Sequence, residues 1–156
     1  MNILTRDDLR NQLKKSEIAP LYLLFGAEKY LRNQAAKAIT EKILHDSPLR
    51  EFNETEVSLN DTEFLHAISS AEQMPMISTR RVVKITEINK LKESDEDALA
   101  RYLARPAEFS VVIFIADELD KRRRFAKTLL DTCVSVEFAN LSDLELLAWA
   151  KGKLKE

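Results

Sequence analysis

The chain has 156 residues, of which 45% are hydrophobic, and a formal net charge of −2. This length suits one compact domain, or one domain and the beginning of a second, and can bury a core without a metal or disulfide. The chain has two glycines, Gly26 and Gly152, which lie far apart. Phosphate-binding loops and dinucleotide fingerprints need closely spaced glycines, because the backbone must approach the phosphates. The sequence therefore excludes both kinds of nucleotide-binding motif.

Cysteine, histidine and apolar patterns exclude further classes of protein. Cys133 is single, and neither His45 nor His66 has a cysteine or second histidine nearby, so no disulfide or zinc spacing is present. The first residues lack the apolar run of a signal peptide, and no stretch approaches the ~20 apolar residues of a membrane span. We therefore expect a cytoplasmic protein without a metal or cofactor. Because positive and negative charges are nearly balanced, any surface for nucleic acid must be local.

Strand and helix patterns alternate along the chain. The apolar run that ends in Gly26 is typical of a buried parallel strand, and a longer run later in the chain is the strongest of this kind. In chain order, strands are predicted at residues 21–25, 51–59, 81–88, 110–116 and 133–138, with Phe52 and Val57 buried in the second. Helical spacing, acidic first turns and prolines predict helices at residues 28–44, 60–74, 94–105 and 121–131.

This order predicts an α/β fold: a three-layer domain with a five-stranded, mainly parallel sheet. The domain occupies residues 1–140. A capping box from Ser142 to Glu145 begins one more helix, whose apolar face includes Trp149 and has no partner in the chain. Residues 141–156 are therefore interpreted as the truncated start of a second domain.

The turn after the first strand stands where a phosphate-binding loop would lie. Counting from Gly26, the second glycine of that loop falls at Leu31, its lysine at Arg32 and its hydroxyl residue at Asn33. Leucine cannot present a bare backbone amide, and asparagine lacks the hydroxyl that binds magnesium. The segment is either a degenerate phosphate loop or an ordinary strand–helix turn.

The segment around Pro75 is a candidate for binding a protein partner. Pro75 ends the preceding helix, so the residues after it emerge at a helix end. Flexible methionines fill irregular pockets, and a glutamine followed by large apolar residues can anchor a segment to a partner. The candidate residues are Gln73, Met74, Met76 and Ile77. The alternative is that the methionines fill the core beneath the loop.

Two basic runs are candidates for contacting phosphates or a neighbouring subunit. They consist of Arg80 and Arg81, and of Lys121, Arg122, Arg123 and Arg124. Cations at the start of a helix oppose its dipole, which favours an external anionic partner. The alternative is a solvated surface without a binding role.

Residues that could support catalysis are few. The acidic pair Asp117 and Glu118 follows a strong strand, as the magnesium-holding acids of ATPases do, but it has no phosphate loop to act with. Strand ends on a surface also commonly carry acids. Cys133 has no histidine nearby in the sequence and is interpreted as a core residue.

Four segments, taken in order, resemble one family. They are residues 20–31 (PLYLLFGAEKYL), 74–83 (MPMISTRRVV), 111–123 (VVIFIADELDKRR) and 134–149 (VSVEFANLSDLELLAW). Together these segments resemble the delta subunit of bacterial DNA polymerase III, and the last of them resembles the beginning of that family's second domain.

The resemblance implies an AAA+-like domain that has lost ATP binding and works in the clamp loader. In that family an apolar pair at a helix end enters a hydrophobic pocket of the sliding clamp and opens one interface of the ring. ATP-driven subunits then place the ring on primed DNA. The matching positions are Met76 and Ile77, with Gln73 and Met74 beside them. Family members often have phenylalanine where this chain has Ile77, which implies a weaker or altered contact.

The resemblance implies three partners: the sliding clamp, other clamp-loader subunits and primed DNA. It implies neither contact with a membrane nor intrinsic catalysis. Two other classes of function remain open. One is a residual ATPase that uses Asp117 and Glu118, for which measurable ATP affinity would be the sign. The other is a nucleic-acid-binding module that uses the basic runs, for which steep salt dependence of DNA binding would be the sign.

Overall fold

The computed structural model describes residues 3–140, 148, 151 and 152. Within them, six strands form one sheet in the order β1-β6-β2-β5-β4-β3, and every neighbouring pair is parallel. The strands are β1 (Ile3–Leu4), β2 (Leu21–Phe25), β3 (Glu54–Ser58), β4 (Arg81–Thr86), β5 (Ser110–Ala116) and β6 (Val134–Glu137).

Helices connect the strands, as parallel neighbours require. They are α1 (Arg6–Lys14), α2 (Lys29–Leu44), α3 (Arg50–Asn53), α4 (Phe64–Ala71), α5 (Glu96–Ala104) and α6 (Arg124–Thr132). Two short 3-10 helices, Ile88–Lys90 and Glu93–Asp95, lie between β4 and α5.

The core has two parts, one on each face of the sheet. Leu23 and Phe25 of β2 belong to the part that α4, α5 and α6 cover. Tyr22 and Leu24 of the same strand belong to the part that α1 and α2 cover. Successive side chains of a strand point to opposite faces, so a strand that is covered on both sides must be apolar throughout. This explains the continuous apolar runs of β2 and β5 and confirms the predicted three-layer α/β fold.

The number of strands was predicted wrongly, since the sheet has six strands rather than five. The additional strand, β1, has two residues, which pair with Ser135 and Val136 of β6. Two apolar residues carry too little periodicity to predict a strand. Helix α1 was also missed, although the Thr5 hydroxyl accepts a hydrogen bond from the Asp8 amide and the Asp8 carboxylate accepts one from the Thr5 amide, which is a capping box.

Several predicted boundaries also differ from the structure: the helix predicted at 60–74 occupies Phe64–Ala71, and the strand predicted at 81–88 ends at Thr86. The strand predicted at 51–59 begins at Glu54, because residues 50–53 form the single helical turn α3. Phe52 lies on the exposed side of that turn, which corrects the prediction that it is buried. Helix α6 begins at Arg124 rather than at residue 121. The last predicted helix lies almost entirely outside the described residues, and the second domain at 141–156 stays a prediction.

The parallel sheet separates the candidate sites into two groups. The segments before β3 and β4 meet at the edge where the strands begin, and this edge includes the residues around Pro75. The segments after β2 and β5 meet at the opposite edge, where the strands end, and this edge includes Gly26 and Asp117. The predicted partner-binding loop and the degenerate phosphate loop therefore lie at opposite ends of the sheet.

Candidate functional site

The loop between α4 and β4 presents a group of exposed apolar side chains. Helix α4 ends at Ala71, four positions before Pro75. After this end, Met74 is 71% exposed, Met76 49% and Ile77 72%. Gln73 is exposed beside them. The methionines therefore do not fill the core beneath the loop, and this surface has an apolar character that usually marks contact with a partner. We call residues 73–77 the contact loop.

The contact loop is tied to the segment that precedes β3. The side-chain oxygen of Asn53 accepts a hydrogen bond from the Met76 amide at 2.7 Å, and its side-chain nitrogen donates to the Met76 carbonyl at 2.8 Å. Asn53 is fully buried. Ile77, which follows Met76 in the chain, has a positive φ of 48°. A β-branched residue rarely adopts this conformation, so the backbone of the loop is held in an unfavourable geometry.

Phe52 extends the exposed apolar surface next to the contact loop. It is 55% exposed and directly precedes Asn53, whose side chain bonds Met76. Consecutive Cα atoms are about 3.8 Å apart, so the backbone of Phe52 lies next to the residue that anchors the loop. Sequence reasoning missed both Phe52 and Asn53 because it placed them in a strand. The helical turn at 50–53 carries no apolar period that would have revealed it.

In the turn after β2, two backbone amides donate hydrogen bonds to carbonyl groups of the protein itself. Gly26 has a φ of +128°, and a Cβ on it would lie 2.2 Å from the Phe138 carbonyl oxygen. The Gly26 amide donates to the Ala116 carbonyl and the Glu28 amide donates to the Phe138 carbonyl. Phosphate loops bind through free amides of this kind. These two amides face protein acceptors instead.

Arg32 fills the position at which a phosphate-binding lysine was counted. It is buried, and its guanidinium donates to the carbonyl oxygens of Gly26 at 2.7 Å and Ala116 at 3.2 Å. The same nitrogen lies 2.8 Å from a carboxylate oxygen of Asp117. Its hydrogen bond and positive charge hold the pKa of Asp117 below the usual value, with Lys29 adding to the effect. Arg32 thus joins the ends of β2 and β5 from inside the chain.

The space that remains beside Arg32 is a polar cavity of about 370 Å³. Basic and acidic side chains both line it, among them Lys29, Lys84, Glu56, Glu87 and Asp117. Asn33 lies at this cavity, whereas Leu31 is half-buried on the other side of α2, against the core part that α1 covers. The four positions of the degenerate loop therefore do not converge on one ligand.

Replacing Asp117 with asparagine is expected to remove part of the protein's acid sensitivity. The pKa of Asp117 is lower in the folded chain than its usual value of 3.8, so ionised Asp117 stabilises the fold above about pH 4. That contribution is lost as the pH falls through the lowered pKa. Urea unfolding should therefore show a gap between wild type and Asp117→Asn at pH 7 that shrinks towards pH 3.

Asp97→Asn is the matched control for this experiment, because both Asp97 and its partner Arg124 are solvent-exposed. It should change the free energy of unfolding little at either pH, since exposed ion pairs contribute little. A gap for Asp117→Asn that stays constant with pH would contradict the role given to its charge.

The second basic run is compensated by carboxylates. Arg122 pairs with Asp120 at 3.0 Å, and Lys121 pairs with Glu137 at 3.4 Å. Two acids of α5 form ion pairs with the remaining two cations. Glu96 lies 3.4 Å from both Arg123 and Arg124, and Asp97 lies 3.1 Å from Arg124. Each of these cations therefore has an acid within the protein, and a contact of this run with DNA or a neighbouring subunit stays a prediction.

The first basic run is divided by burial. Arg81 is buried in β4, and its guanidinium donates to the Thr55 hydroxyl at 3.0 Å. Its burial lowers the pKa of the guanidinium. This placement corrects the prediction that Arg81 contacts DNA or another subunit, because its charged group is not on the surface. Arg80 is half-buried just before the strand and stays a candidate.

The remaining groups that could support chemistry are the thiol of Cys133 and the metal-ligating side chains. Cys133 is buried, and burial raises the pKa of its thiol to about 12, which makes the reactive thiolate rare. In the part of the chain that the structure describes, no three metal-ligating side chains are grouped so as to hold an ion. No helix among the described residues is long and apolar enough to cross a bilayer.

Comparison with known proteins decides the family. The model of the family described as DNA polymerase III, delta subunit, matches residues 22–139. The chain belongs to this family. It is 30% identical over 148 residues to DNA polymerase III subunit delta of Bacillus subtilis, a match that covers 88% of this chain and 42% of the relative.

Solved structures support this membership in the delta family. A Bacillus subtilis DNA clamp loader delta protein superposes with a TM-score of 0.82 at 27% identity, covering 94% of this chain and 47% of that protein. The chain thus spans about half the length of the delta relatives it matches. The predicted resemblance to the delta family is confirmed.

More distant structures show the fold alone. A gamma subunit-related protein of Thermotoga maritima matches with a TM-score of 0.61 at 14% identity, covering 87% of this chain and 47% of that one. The P-loop NTPase domain of a sigma-54 transport activator of Escherichia coli matches with a TM-score of 0.54 at 16% identity. This match covers 84% of this chain and 96% of that domain. The AAA+-like fold predicted for this delta-family chain is therefore confirmed.

Proposed function

We propose that this chain is the clamp-binding part of a clamp-loader delta subunit and that the contact loop, residues 73–77, inserts into a hydrophobic pocket of the sliding clamp. The observation that carries the proposal is the exposure of Met74, Met76 and Ile77 at the end of α4 in a member of the delta family. Exposed apolar side chains on a well-defined loop gain free energy only when a partner covers them.

The energy of this contact comes mainly from Met76 and Ile77. Complete burial of such a side chain contributes about 1.5–3 kcal/mol, and a few central residues usually supply most of an interface's affinity. Met76 contributes at the lower end because half of it is already covered. Isoleucine is smaller than phenylalanine, so Ile77 leaves part of an aromatic-sized pocket unfilled.

Clamp opening follows from differential binding rather than from catalysis. A ligand shifts a conformational equilibrium only by binding one state better than the other. The contact loop would open the ring if its anchors fit the pocket of the opened clamp better than that of the closed clamp. No group of this chain needs to perform chemistry in that step.

We further propose that the chain does not bind ATP. The Gly26 and Glu28 amides are used by protein carbonyls, and the Arg32 guanidinium is used by Gly26, Ala116 and Asp117. A nucleotide would have to break these bonds before it could form its own. Isothermal titration with Mg–ATP should give no heat of binding, and a saturable isotherm would restore the residual ATPase with Asp117 and Glu118.

Assembly with other loader subunits and placement on primed DNA are proposed for the longer delta protein as a whole. Direct DNA binding by this chain is the weaker candidate, because carboxylates lie within 4 Å of Lys121, Arg122, Arg123 and Arg124. Binding of DNA with a steep salt dependence would favour it.

The decisive test is surface plasmon resonance of this chain over the immobilised sliding clamp of the same organism. The proposal predicts saturable binding, which free clamp in solution competes away. Absence of binding by a chain whose circular dichroism shows a folded α/β protein would overturn it.

Phe52→Ala is expected to weaken clamp binding by about threefold to tenfold. The exposed ring belongs to the residue before Asn53, whose side chain bonds the contact loop, and partial burial of an aromatic side chain contributes about 1 kcal/mol. The matched control is Tyr30→Ala, because Tyr30 is also an exposed aromatic residue but lies on α2, on the opposite face of the sheet from α4. Equal losses for the two variants, measured by plasmon resonance, would place Phe52 outside the interface.

A further inference from the structure

Asn53 makes a set of contacts that no smaller or purely apolar residue can reproduce. Its side-chain oxygen accepts from the Met76 amide, and its side-chain nitrogen lies 2.8 Å from the Met76 carbonyl oxygen. The same nitrogen lies 3.2 Å from both the Ser47 hydroxyl and the Leu49 carbonyl oxygen. A carboxamide is the side-chain group that donates and accepts at once in this way.

These contacts bridge two segments that are distant in sequence. Asn53 ends α3 and precedes β3, whereas Met76 lies in the contact loop that precedes β4. Because β3 and β4 are parallel neighbours, the segments before them meet at the same edge of the sheet. The buried carboxamide therefore fixes the backbone of the loop to the edge of the rigid sheet.

The conformation of Ile77 shows that the loop needs such a restraint. Its φ of 48° is unfavourable for a β-branched residue, and its side chain is exposed, so burial does not compensate. Strained residues persist only where the surroundings determine their conformation. The two bonds to Met76 restrain the loop on one side of this strained position, and the Ser78 hydroxyl, which donates to the Arg80 carbonyl at 3.0 Å, lies on the other side.

We propose that Asn53 is a positioning residue that pre-organises the contact loop for its protein partner. This inference rests on the proposed function of the loop. Because Asn53 holds the Met76 backbone, the loop is already ordered before it binds, and the entropic cost of binding is lower. Met76 and Ile77 then present their side chains together. It acts through the loop and is not itself a contact residue, since it is fully buried.

The first measurement needs no partner and no variant. The Met76 amide in the free chain should exchange its hydrogen at least about tenfold more slowly than the Met74 and Ile77 amides, because it donates to the buried Asn53 oxygen. NMR exchange rates of the wild-type chain test this directly. Equal rates at the three amides would overturn the inference, whatever the clamp does.

The second measurement separates the two bonds to Met76 from the rest of the Asn53 environment. Asn53→Ala should abolish protection of the Met76 amide and weaken clamp binding by about tenfold in plasmon resonance. Asn53→Asp keeps the acceptor for that amide but loses the donor to the Met76 carbonyl, so it should lie between Asn53→Ala and wild type. Ser47→Ala is the control, because it removes one partner of the Asn53 nitrogen and leaves both bonds to Met76.

Thermal melts of each variant ensure that only folded protein is compared. If Asn53→Ala does not fold, the comparison of Asn53→Asp with wild type decides the positioning role. Loss of Met76 protection with unchanged clamp affinity would overturn the positioning role. Failure of wild type to bind the clamp, with Met76 still protected, would overturn the proposed function and reduce Asn53 to a structural contact. Equal effects of Ser47→Ala and Asn53→Ala would also contradict the inference.

Discussion

A Met76→Ala/Ile77→Ala double variant is expected to lose at least about 100-fold in affinity for the sliding clamp while it folds as wild type does. Both side chains are exposed in the free chain, so their truncation removes little from the core. In the complex, each of the two contributes about 1.5–3 kcal/mol when buried, and about 1.4 kcal/mol corresponds to a factor of ten. Plasmon resonance over immobilised clamp measures the loss.

The matched control for this variant is Tyr30→Ala, which truncates a partly exposed aromatic residue on α2 and should leave clamp affinity within about twofold of wild type. The free energy of unfolding of the double variant should stay within about 0.5 kcal/mol of wild type, as is usual for surface substitutions. If the folded double variant binds as wild type does, membership in the delta family stands but the contact loop is not the site.

The second large effect is expected from Arg32→Ala, which should reduce the free energy of unfolding by about 2–3 kcal/mol. The guanidinium makes charge-assisted hydrogen bonds to two buried carbonyls, and bonds of this type contribute about 1.5–3 kcal/mol. Asp117 adds less, because its carboxylate is partly exposed and water can solvate it when Arg32 is removed. For a domain of this size the melting temperature should fall by roughly 5–10 °C.

Urea unfolding of Arg32→Ala, Arg32→Lys and Lys29→Ala checks this expectation. A lysine at position 32 keeps the charge, but its shorter side chain brings the ammonium nitrogen less close to the three oxygens that one guanidinium nitrogen reaches, so its loss should be intermediate. Lys29 pairs with the same aspartate at 3.7 Å from an exposed position, and Lys29→Ala should change stability by less than about 0.5 kcal/mol. Equal stability of Arg32→Ala and wild type would contradict the view that Arg32 joins the ends of β2 and β5.

Together these two variants describe how the chain uses the two edges of its sheet. At the edge where the strands end, Arg32 and Asp117 occupy the region in which P-loop proteins hold phosphates, and their contacts are internal. At the edge where the strands begin, Asn53 fixes a loop whose apolar side chains face solvent. The first edge contributes stability, and we infer that the second contributes partner binding.

The central strands and the layers of the fold were predictable because their signals are local. β2 and β5 are covered on both faces and therefore read as continuous apolar runs, and α2 has regular helical spacing over many residues. The edge elements were not predictable in the same way. β1 is too short to show a period, and the helical turn at 50–53 interrupts a stretch whose composition favours a strand.

The candidate site was predictable only in part. Pro75 and the methionines around it indicated a helix end with apolar residues, and the structure places those residues on the surface. Their restraint by Asn53 depends on a contact between segments 23 residues apart, which no local pattern reveals. The ion pairs of the second basic run were not predictable for the same reason, since Glu96 and Asp97 pair with Arg123 and Arg124 across a long sequence separation.

Hydrogen–deuterium exchange of this chain with and without the sliding clamp tests most directly whether the contact loop binds the clamp. We predict new protection in two segments at one edge of the sheet, the helical turn around Phe52 and the contact loop at 73–77. We also predict no change at the start of α6 or around Arg32. Clamp-dependent protection confined to residues 121–124, or to α1 and α2, would contradict the assignment of the contact loop as the clamp-binding site.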